Sequence, residues 1–421
     1  MLQEYNPISF SGSKMEAMMR LLVTTNARLY KTPSGDYWTP LVYGYDFFQR
    51  YLKVFEEIKL VAHCENTEDS FVLGMLKVNG PGMSIFEVPF PHGKKQYIKM
   101  YNKVQRSVKK CFQDCDAAIL RIPDQLAFQI YPYLRKNKIP VGVEVTSDSW
   151  EFYAPGATKS IFRPFLRVIW HTQQKYICRT ALGTAYVTQF ALQKRYPPLR
   201  ALMKDGFTTS YTDTNIDEKY LSAPRIFGSD KNEYTAIHVA GSIGGHAKGH
   251  KELIEAIGML TAKGISINLV LVGGGSISQD IKILIDKFNL KGRIRFTGLI
   301  TNPEELRNEL INADIFVFPS YREGLPRVLV EAMACALPCV ATELPGIKEL
   351  LDIDCLVPIK DSYKLMGKIE ELIKDPKRLT SISIRNVKKA AEYSLTKMED
   401  KRTEFYTNLR AAATTSKRGQ K

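Results

Sequence analysis

Two glutamates eight positions apart, Glu323 and Glu331, stand in the stretch "REGLPRVLVEAMACALPCVAT" (residues 322–342), which otherwise reads as buried core. If the helical rise held between them, they would lie about 12 Å apart with an angular offset of about 80°. Carboxylates so far apart cannot share a proton or a metal ion. They can accept hydroxyls from the two ends of one long polyol ligand whose middle is a diphosphate. A matching anion site is legible upstream. In "HVAGSIGGHAKGHKELIEAI", Gly241, Gly244, Gly245 and Gly249 surround Lys248 between a strand and a helix. Such glycines let main-chain N–H groups approach an anion, the helix start adds partial positive charge, and lysine adds a full one. The loop fits neither the dinucleotide fingerprint nor the Walker loop, which argues against a nicotinamide enzyme or a P-loop NTPase.

The elements that must position these residues alternate through the second half of the chain. Strand-like runs "YTAIHVAG", "INLVLVGGG", "RIRFTG", "DIFVFPS", "PCVAT" and "DCLVPI" are separated by amphipathic helical stretches. In the first of these helices Leu253, Ile257 and Leu260 share a face; in the second Ile281, Leu284, Ile285 and Phe288 do. Short apolar strands each followed by a helix predict a parallel sheet covered on both faces, the doubly wound α/β architecture. Tyr321–Leu325 then form the loop at the C-terminal end of a strand, where open α/β sheets bind ligands. Pro326 suits a helix start, where its missing N–H costs nothing.

The first half is similar in kind. Strands are expected at "RLLVTTN", "IKLVAH", "DAAILR", "PVGVEV" and "TAYVT", with helices at "DQLAFQIYPYLRKNK" and "FLRVIWHTQQKYICRTAL". Domains are therefore expected at 19–225 and 232–390, joined by the polar segment 222–234. A C-terminal helix and basic tail at 391–421 are expected to pack back on the first domain, and residues 1–18 read as an extension.

Composition bounds the rest. The 421 residues, 44% hydrophobic and 24% charged, can bury two cores. No apolar run reaches the roughly 20 residues of a membrane-spanning helix. No cleavable leader is visible, so a cytoplasmic location is expected. Seven scattered cysteines point to reduced thiols, and no histidine or acidic cluster completes a metal set. The net charge of +15 is concentrated in residues 1–225, with 30 Lys and Arg against 20 Asp and Glu. Its densest run, "KKQYIKMYNKVQRSVKK" (Lys94 to Lys110), suits a solvated helix face or an anionic membrane surface. A nucleic-acid binder is the remaining reading of the charge, but no helix-turn-helix, zinc or stacked-aromatic signature accompanies it.

The run "FVFPSYREGLPRVLVEAMACALPCVAT", preceded in order by "KGHKELIEAI", "VLVGGG" and "RIRFTG", resembles the C-terminal half of the family 4 retaining glycosyltransferases. The first half resembles that family more loosely, through "AYVTQFALQKRY" and "SYTDTNIDEKYL". The resemblance implies a GT-B fold: two Rossmann-like doubly wound domains facing a central cleft. It implies a nucleotide-sugar donor, UDP- or GDP-linked, and a saccharide or lipid-linked acceptor, with no metal and no cofactor. By the resemblance, Glu323 contacts the sugar hydroxyls, Glu331 the ribose and Lys248 the diphosphate, helped by the amides of Gly324 and Leu325. Gly241, Ser242, Gly244, Gly245, Gly273 and Arg293 complete the expected donor set. The family places an arginine after the glycine at the strand end, where this chain has Ser242. The family's two-glycine turn is Pro345–Gly346 here.

On the acceptor side, Ser34 and Gly35 follow the first strand, and Glu144 and Asp148 stand where an acid could orient or deprotonate a hydroxyl. Trp150, Phe152 and Tyr153 are placed to stack on a sugar or a lipid carrier. Glu323, Lys248 and Asp148 form the expected catalytic group. The alternative enzyme of the same fold is a nucleotide-sugar epimerase, which needs no acceptor.

Overall fold

The computed structural model describes residues 18–155, 160–203, 205–214, 216–243 and 246–418. Their contacts divide the chain into two units. One comprises the chain up to Leu120, Asp124–Gly142 and the segment from Tyr406; the other comprises Arg121–Pro123 and Val143–Phe405.

The first unit is built on β1 (Arg20–Lys31), β2 (Tyr37–Thr39), α1 (Tyr45–Leu52), β3 (Glu57–Asn66), β4 (Leu76–Lys77), β5 (Met83–Pro89) and α2 (Gly93–Lys110). It continues into β6 (Ala117–Ile122), α3 (Gln125–Lys136) and the start of β7 (Val141–Val145). β1 pairs in parallel with β3 and β6, and β3 with β5, while β2 and β4 join antiparallel. β1 is longer than its sequence suggests. The strand expected at "RLLVTTN" continues through "ARLYK" past a register shift between Thr24 and Arg28. Arg28 and Tyr30 are half-buried while Ala27 and Leu29 are buried, so the alternation of a strand persists there. The segment from Tyr406 lies on this unit: the Tyr406 ring is 4.8 Å from Tyr51, and Arg410 and Lys417 pair with Glu56 and Asp116 at 2.8 and 2.6 Å.

The second unit carries α4 (Ser149–Phe152), α5 (Arg163–Thr180), β8 (Gly183–Tyr186), α6 (Ala191–Arg195) and β9 (Phe207–Ser210), with β7, β8 and β9 side by side. It then forms a six-stranded parallel sheet from β10 (Glu233–Ser242), β11 (Ser266–Gly274), β12 (Ile294–Gly298), β13 (Ile315–Phe318), β14 (Cys339–Thr342) and β15 (Leu356–Val357). The order β12-β11-β10-β13-β14-β15 places β10 and β13 side by side. The connections are α7 (His250–Ala262), α8 (Gln279–Lys287), α9 (Pro303–Asn312) and α10 (Arg327–Ala334). They are followed by α11 (Ser362–Ile373), α12 (Pro376–Ala390) and α13 (Leu395–Arg418). β13 and β14 are buried along their whole length, as a sheet covered on both faces requires. α7 buries Leu253, Ile254, Ile257 and Leu260, the face its periodicity predicts.

Two polar devices hold this unit together. The carboxylate of Glu349, nearly buried, accepts from the amides of Gln189, Phe190 and Ala191 at 2.6, 3.0 and 2.5 Å and so caps α6 from 158 residues away. Arg225, in the polar segment before β10, donates to the carbonyls of Leu310 and Cys335 at 3.1 and 2.9 Å and to that of Ala313.

Candidate functional site

Because β10 and β13 are neighbours and parallel, the loops leaving their C-terminal ends meet, and residues 75 apart in sequence come into contact. The Lys248 ammonium reaches Glu323 at 2.6 Å, and the Ser320 hydroxyl donates to the same Glu323 oxygen at 2.7 Å. The two loops are further joined by the Tyr321 amide, which donates to the Ala247 carbonyl at 2.9 Å. The Thr342 hydroxyl donates to the Ser320 carbonyl at 2.5 Å, tying the third loop in.

Gly249 makes this approach feasible. Its φ of +71° falls in the left-handed region, and a Cβ there would lie 2.1 Å from the Pro319 carbonyl oxygen. Any side chain would push Lys248 off the end of β13. A second close approach sets the other side of the loop: a Cβ on Gly346 would lie 1.6 Å from the Gly324 carbonyl oxygen, and one on Gly324 would lie 2.8 Å from the Thr146 oxygen. The Pro345–Gly346 turn therefore keeps the glycine that the packing needs.

Beneath Lys248 lies an uncharged aromatic layer. Its ammonium sits 5.8 Å from the Phe318 ring centre, and Phe318 stacks on His238 at 5.7 Å. His238 is buried and donates from Nδ1 to the Val317 carbonyl at 2.8 Å; burial, with His250 beside it, pushes its pKa down to about 3. The imidazole is thus neutral, and Lys248 carries the positive charge of this layer.

α10 begins directly after the loop. Leu325 is buried, and α10 sinks Leu329, Val330 and Met333 into the core. Glu331 on the same helix is half-buried, and no group among the described residues donates a hydrogen bond to it. Burial pushes its carboxyl above the usual range, against the pull of Arg327 one turn earlier. A half-buried carboxylate more than a turn inside α10, with no hydrogen-bond donor among the described residues, is a group that a ligand hydroxyl would stabilise.

Other expected donor residues fall in several places. Gly241 and Ser242 end β10 and are exposed, with open space before the Gly241 Cα. Gly244 and Gly245 lie outside the described residues. Gly273 is buried at the end of β11 against Ala240. Arg293 is a correction. It precedes β12 at the N-terminal edge of the sheet, where its guanidinium donates to Ser266 at 3.2 Å, so the parallel strands carry it to the opposite edge from Lys248 and Glu323.

The acceptor-side acids are heavily engaged. Glu144 is buried on β7, paired with Arg121 and accepting from the Tyr211 hydroxyl at 2.8 Å. Asp148 caps α4 through the Trp150 amide at 2.9 Å, accepts from the Tyr196 hydroxyl at 2.5 Å and pairs with Arg195. Asp148 therefore has the environment of a loop cap rather than of an open base. Ser34 and Gly35 belong to the other unit, in the turn between β1 and β2, where Ser34 shares a hydrogen bond with Thr32 at 2.8 Å and the Gly35 amide donates to the Thr32 carbonyl. Phe152 lies under the Arg322 guanidinium at 5.1 Å, next to the Glu323 loop.

Ser320 and Phe318, which orient and underlie the Lys248–Glu323 pair, were not singled out from sequence. Both lie in the quoted run "FVFPSYREG", and the signal that finds them is position at the strand's C-terminal end.

Comparison with known proteins bears on the fold. The chain superposes on the Anabaena Alr3699/HepE structure in complex with UDP-glucose with a TM-score of 0.61, at 16% identity, covering 92% of this chain and 98% of that one. The likeness defines the class: an α/β protein of the GT-B glycosyltransferase fold, with two Rossmann-like domains. Within that class, residues 223–390 match the family Glycosyl transferases group 1. Over 375 residues the chain is 24% identical to Protein CapJ of Staphylococcus aureus, covering 89% of this chain and 92% of CapJ. It is 32% identical over 155 residues to WcaL of Salmonella typhimurium, a protein named for colanic acid biosynthesis, covering 34% of this chain and 38% of that one. No helix among the described residues is long and apolar enough to cross a membrane.

Proposed function

We propose that the chain is a retaining, metal-independent glycosyltransferase of the family 4 type. It moves a sugar from a nucleoside diphosphate sugar to a saccharide or lipid-linked acceptor in surface polysaccharide or glycolipid assembly. The observation that carries this reading is the contact of Lys248 with Glu323 at 2.6 Å at the mouth of adjacent parallel strands, directly before the start of α10. Glu323 and Glu331 are the E-x7-E pair of that reading.

With donor bound, the diphosphate takes Lys248 from Glu323 and receives the amides of Gly324 and Leu325. Glu323, still held by Ser320, turns its freed lone pairs to the sugar hydroxyls. Glu331 accepts from the ribose. As the glycosidic bond breaks, negative charge grows on the leaving diphosphate. A preorganised ammonium and main-chain dipoles stabilise that growing charge more than they stabilise the ground state. On the acceptor side, deprotonation by Asp148 requires its release from Arg195 and Tyr196, so Asp148, Glu144, Ser34 and Gly35 are assigned to acceptor positioning. A peripheral place on an anionic membrane face belongs to the same reading, supported by the net charge of +15.

A thermal-shift panel of UDP, GDP, CDP and dTDP and their sugars tests the reading. A rise with one base, and transfer that survives EDTA and keeps the anomeric configuration, supports it. No shift with any member, or release of an isomerised sugar without an acceptor, overturns it, the second result pointing to an epimerase.

A further inference from the structure

The start of α5 turns an apolar stripe to solvent. Ile161, Phe162, Phe165 and Val168 are 85%, 57%, 66% and 54% exposed. Phe165 and Val168, three residues apart, share one face of α5, and Ile161 and Phe162 lie in the turn that leads into it. A soluble surface rarely groups such residues unless something covers them.

The chemistry around the stripe selects the occupant. α5 carries Arg163, Arg167, Lys175 and Arg179 and no acidic residue. Arg163 donates to the Tyr153 carbonyl at 3.0 Å and Arg167 to the Trp150 carbonyl at 2.8 Å, with the Arg167 guanidinium 3.9 Å from the Trp150 ring centre, so the partners of both are neutral groups. None of these four forms an ion pair with a described residue. Large apolar side chains flanked by uncompensated arginines and lysines, with Trp170 and Tyr176 along the same helix, match the interface of an anionic bilayer, where aromatic rings seat at the headgroup level.

Another face of the same helix packs beside the candidate site. Trp170 stacks on Phe152 at 6.4 Å and packs on Tyr153 at 5.5 Å, and Phe152 lies under Arg322, the residue before Glu323.

We infer that the N-terminal half of α5 and the turn before it dock on an anionic lipid bilayer, inserting Ile161, Phe165 and Val168, with the helix's uncompensated positive charge drawn to the headgroups. This deepens the peripheral-membrane part of the function proposed above, but it concerns a surface and not the transfer step.

Co-sedimentation of the full chain with vesicles tests it. Equal parts of phosphatidylcholine and phosphatidylglycerol are compared with phosphatidylcholine alone, without donor or acceptor, so that a failed transferase reading leaves the result interpretable. The expected result is binding to the anionic vesicles that falls about tenfold or more in a Phe165→Ser, Val168→Ser double variant whose thermal midpoint is unchanged. Lys109→Glu, on α2, is expected to leave binding within about threefold. Equal binding by the double variant, absence of binding to either vesicle, or a concentration-dependent dimer that the double variant abolishes would each overturn the inference, the last assigning the stripe to a second copy of the chain.

Discussion

Replacing Lys248 by methionine removes one charge from the site and keeps the length of the side chain. In the ligand-free protein the loss is small. The Lys248–Glu323 pair is part-exposed, with side chains 34% and 15% accessible, and such a pair contributes on the order of 1 kcal/mol at most. Glu323 keeps its 2.7 Å bond from Ser320, so the loop retains its anchor and the thermal midpoint falls by about 2–4 °C or less. In the transition state the loss is larger. A cation aimed at a developing oxyanion contributes about 3 kcal/mol, or about 150-fold in rate. In the proposed transfer the diphosphate's charge grows as the bond to the sugar breaks, so most of this is expected to fall on kcat, with KM changing by about threefold to tenfold. Steady-state kinetics with the donor found in the nucleotide panel, beside thermal unfolding of both proteins, measures the two effects separately. A kcat/KM within about threefold of the parent, or a loss that tracks a collapsed midpoint, would refute the reasoning.

Further outcomes follow from the same geometry. Glu331→Gln removes a half-buried carboxylate whose ionised form burial disfavours. Its folded pKa is raised, so its contribution to stability is present below the ordinary carboxylate range and lost as pH rises. The variant is therefore expected to gain stability over the parent at pH 7 and lose that advantage in acid, while donor affinity drops about tenfold to thirtyfold, as unfolding and titration calorimetry would show. His238, held at about 3 by burial, binds its proton only in the unfolded chain between that value and 6.5. Stability is thus complete above pH 6.5 and falls by about 2 kcal/mol on going to pH 5. Urea unfolding checks this, and His238→Asn is expected to flatten that slope; an unchanged slope rejects the assignment. Gly346→Ala inserts a carbon where the Gly324 oxygen stands, so the Glu323 loop must move. Stability is expected to fall by about 1–3 kcal/mol and turnover by about 100-fold, and unimpaired turnover would show that the loop position is not critical.

Much of the second unit was legible in the sequence because its strands are short, buried and separated by periodic helices. β10 to β15 and their helices fall where the patterns place them. In the first unit β5 escaped notice because its residues are mostly half-buried or exposed, so no continuous apolar run marks it. The strand visible at "RLLVTTN" stops short of the end of β1 because Arg28 and Tyr30 break the apolar run, although they occupy the partly exposed positions of an ordinary strand.

At the site, Lys248 and Glu323 could each be placed at a strand's C-terminal end from sequence, whereas the pairing of β10 with β13 that brings them together shows only in the fold. Arg293 was misplaced for the complementary reason: it sits in a motif of the right order but at the wrong end of its strand. The partners of Glu144 and Asp148 were not legible. Arg121 and Arg195 lie 23 and 47 residues away, and only the folded backbone brings them into contact.

The central claim is that one elongated sugar diphosphate is held at three points, by Glu331, Lys248 and Glu323 in turn. Calorimetric affinities of nucleoside, nucleoside diphosphate and nucleoside diphosphate sugar, measured on the parent and on Glu331→Gln, Lys248→Met and Glu323→Gln, test it most directly. The account predicts that the Glu331 change weakens all three ligands, the Lys248 change only the two that carry phosphate, and the Glu323 change only the complete sugar nucleotide. Losses that are the same for every ligand, or a Glu323 change that weakens the bare nucleoside, would contradict it.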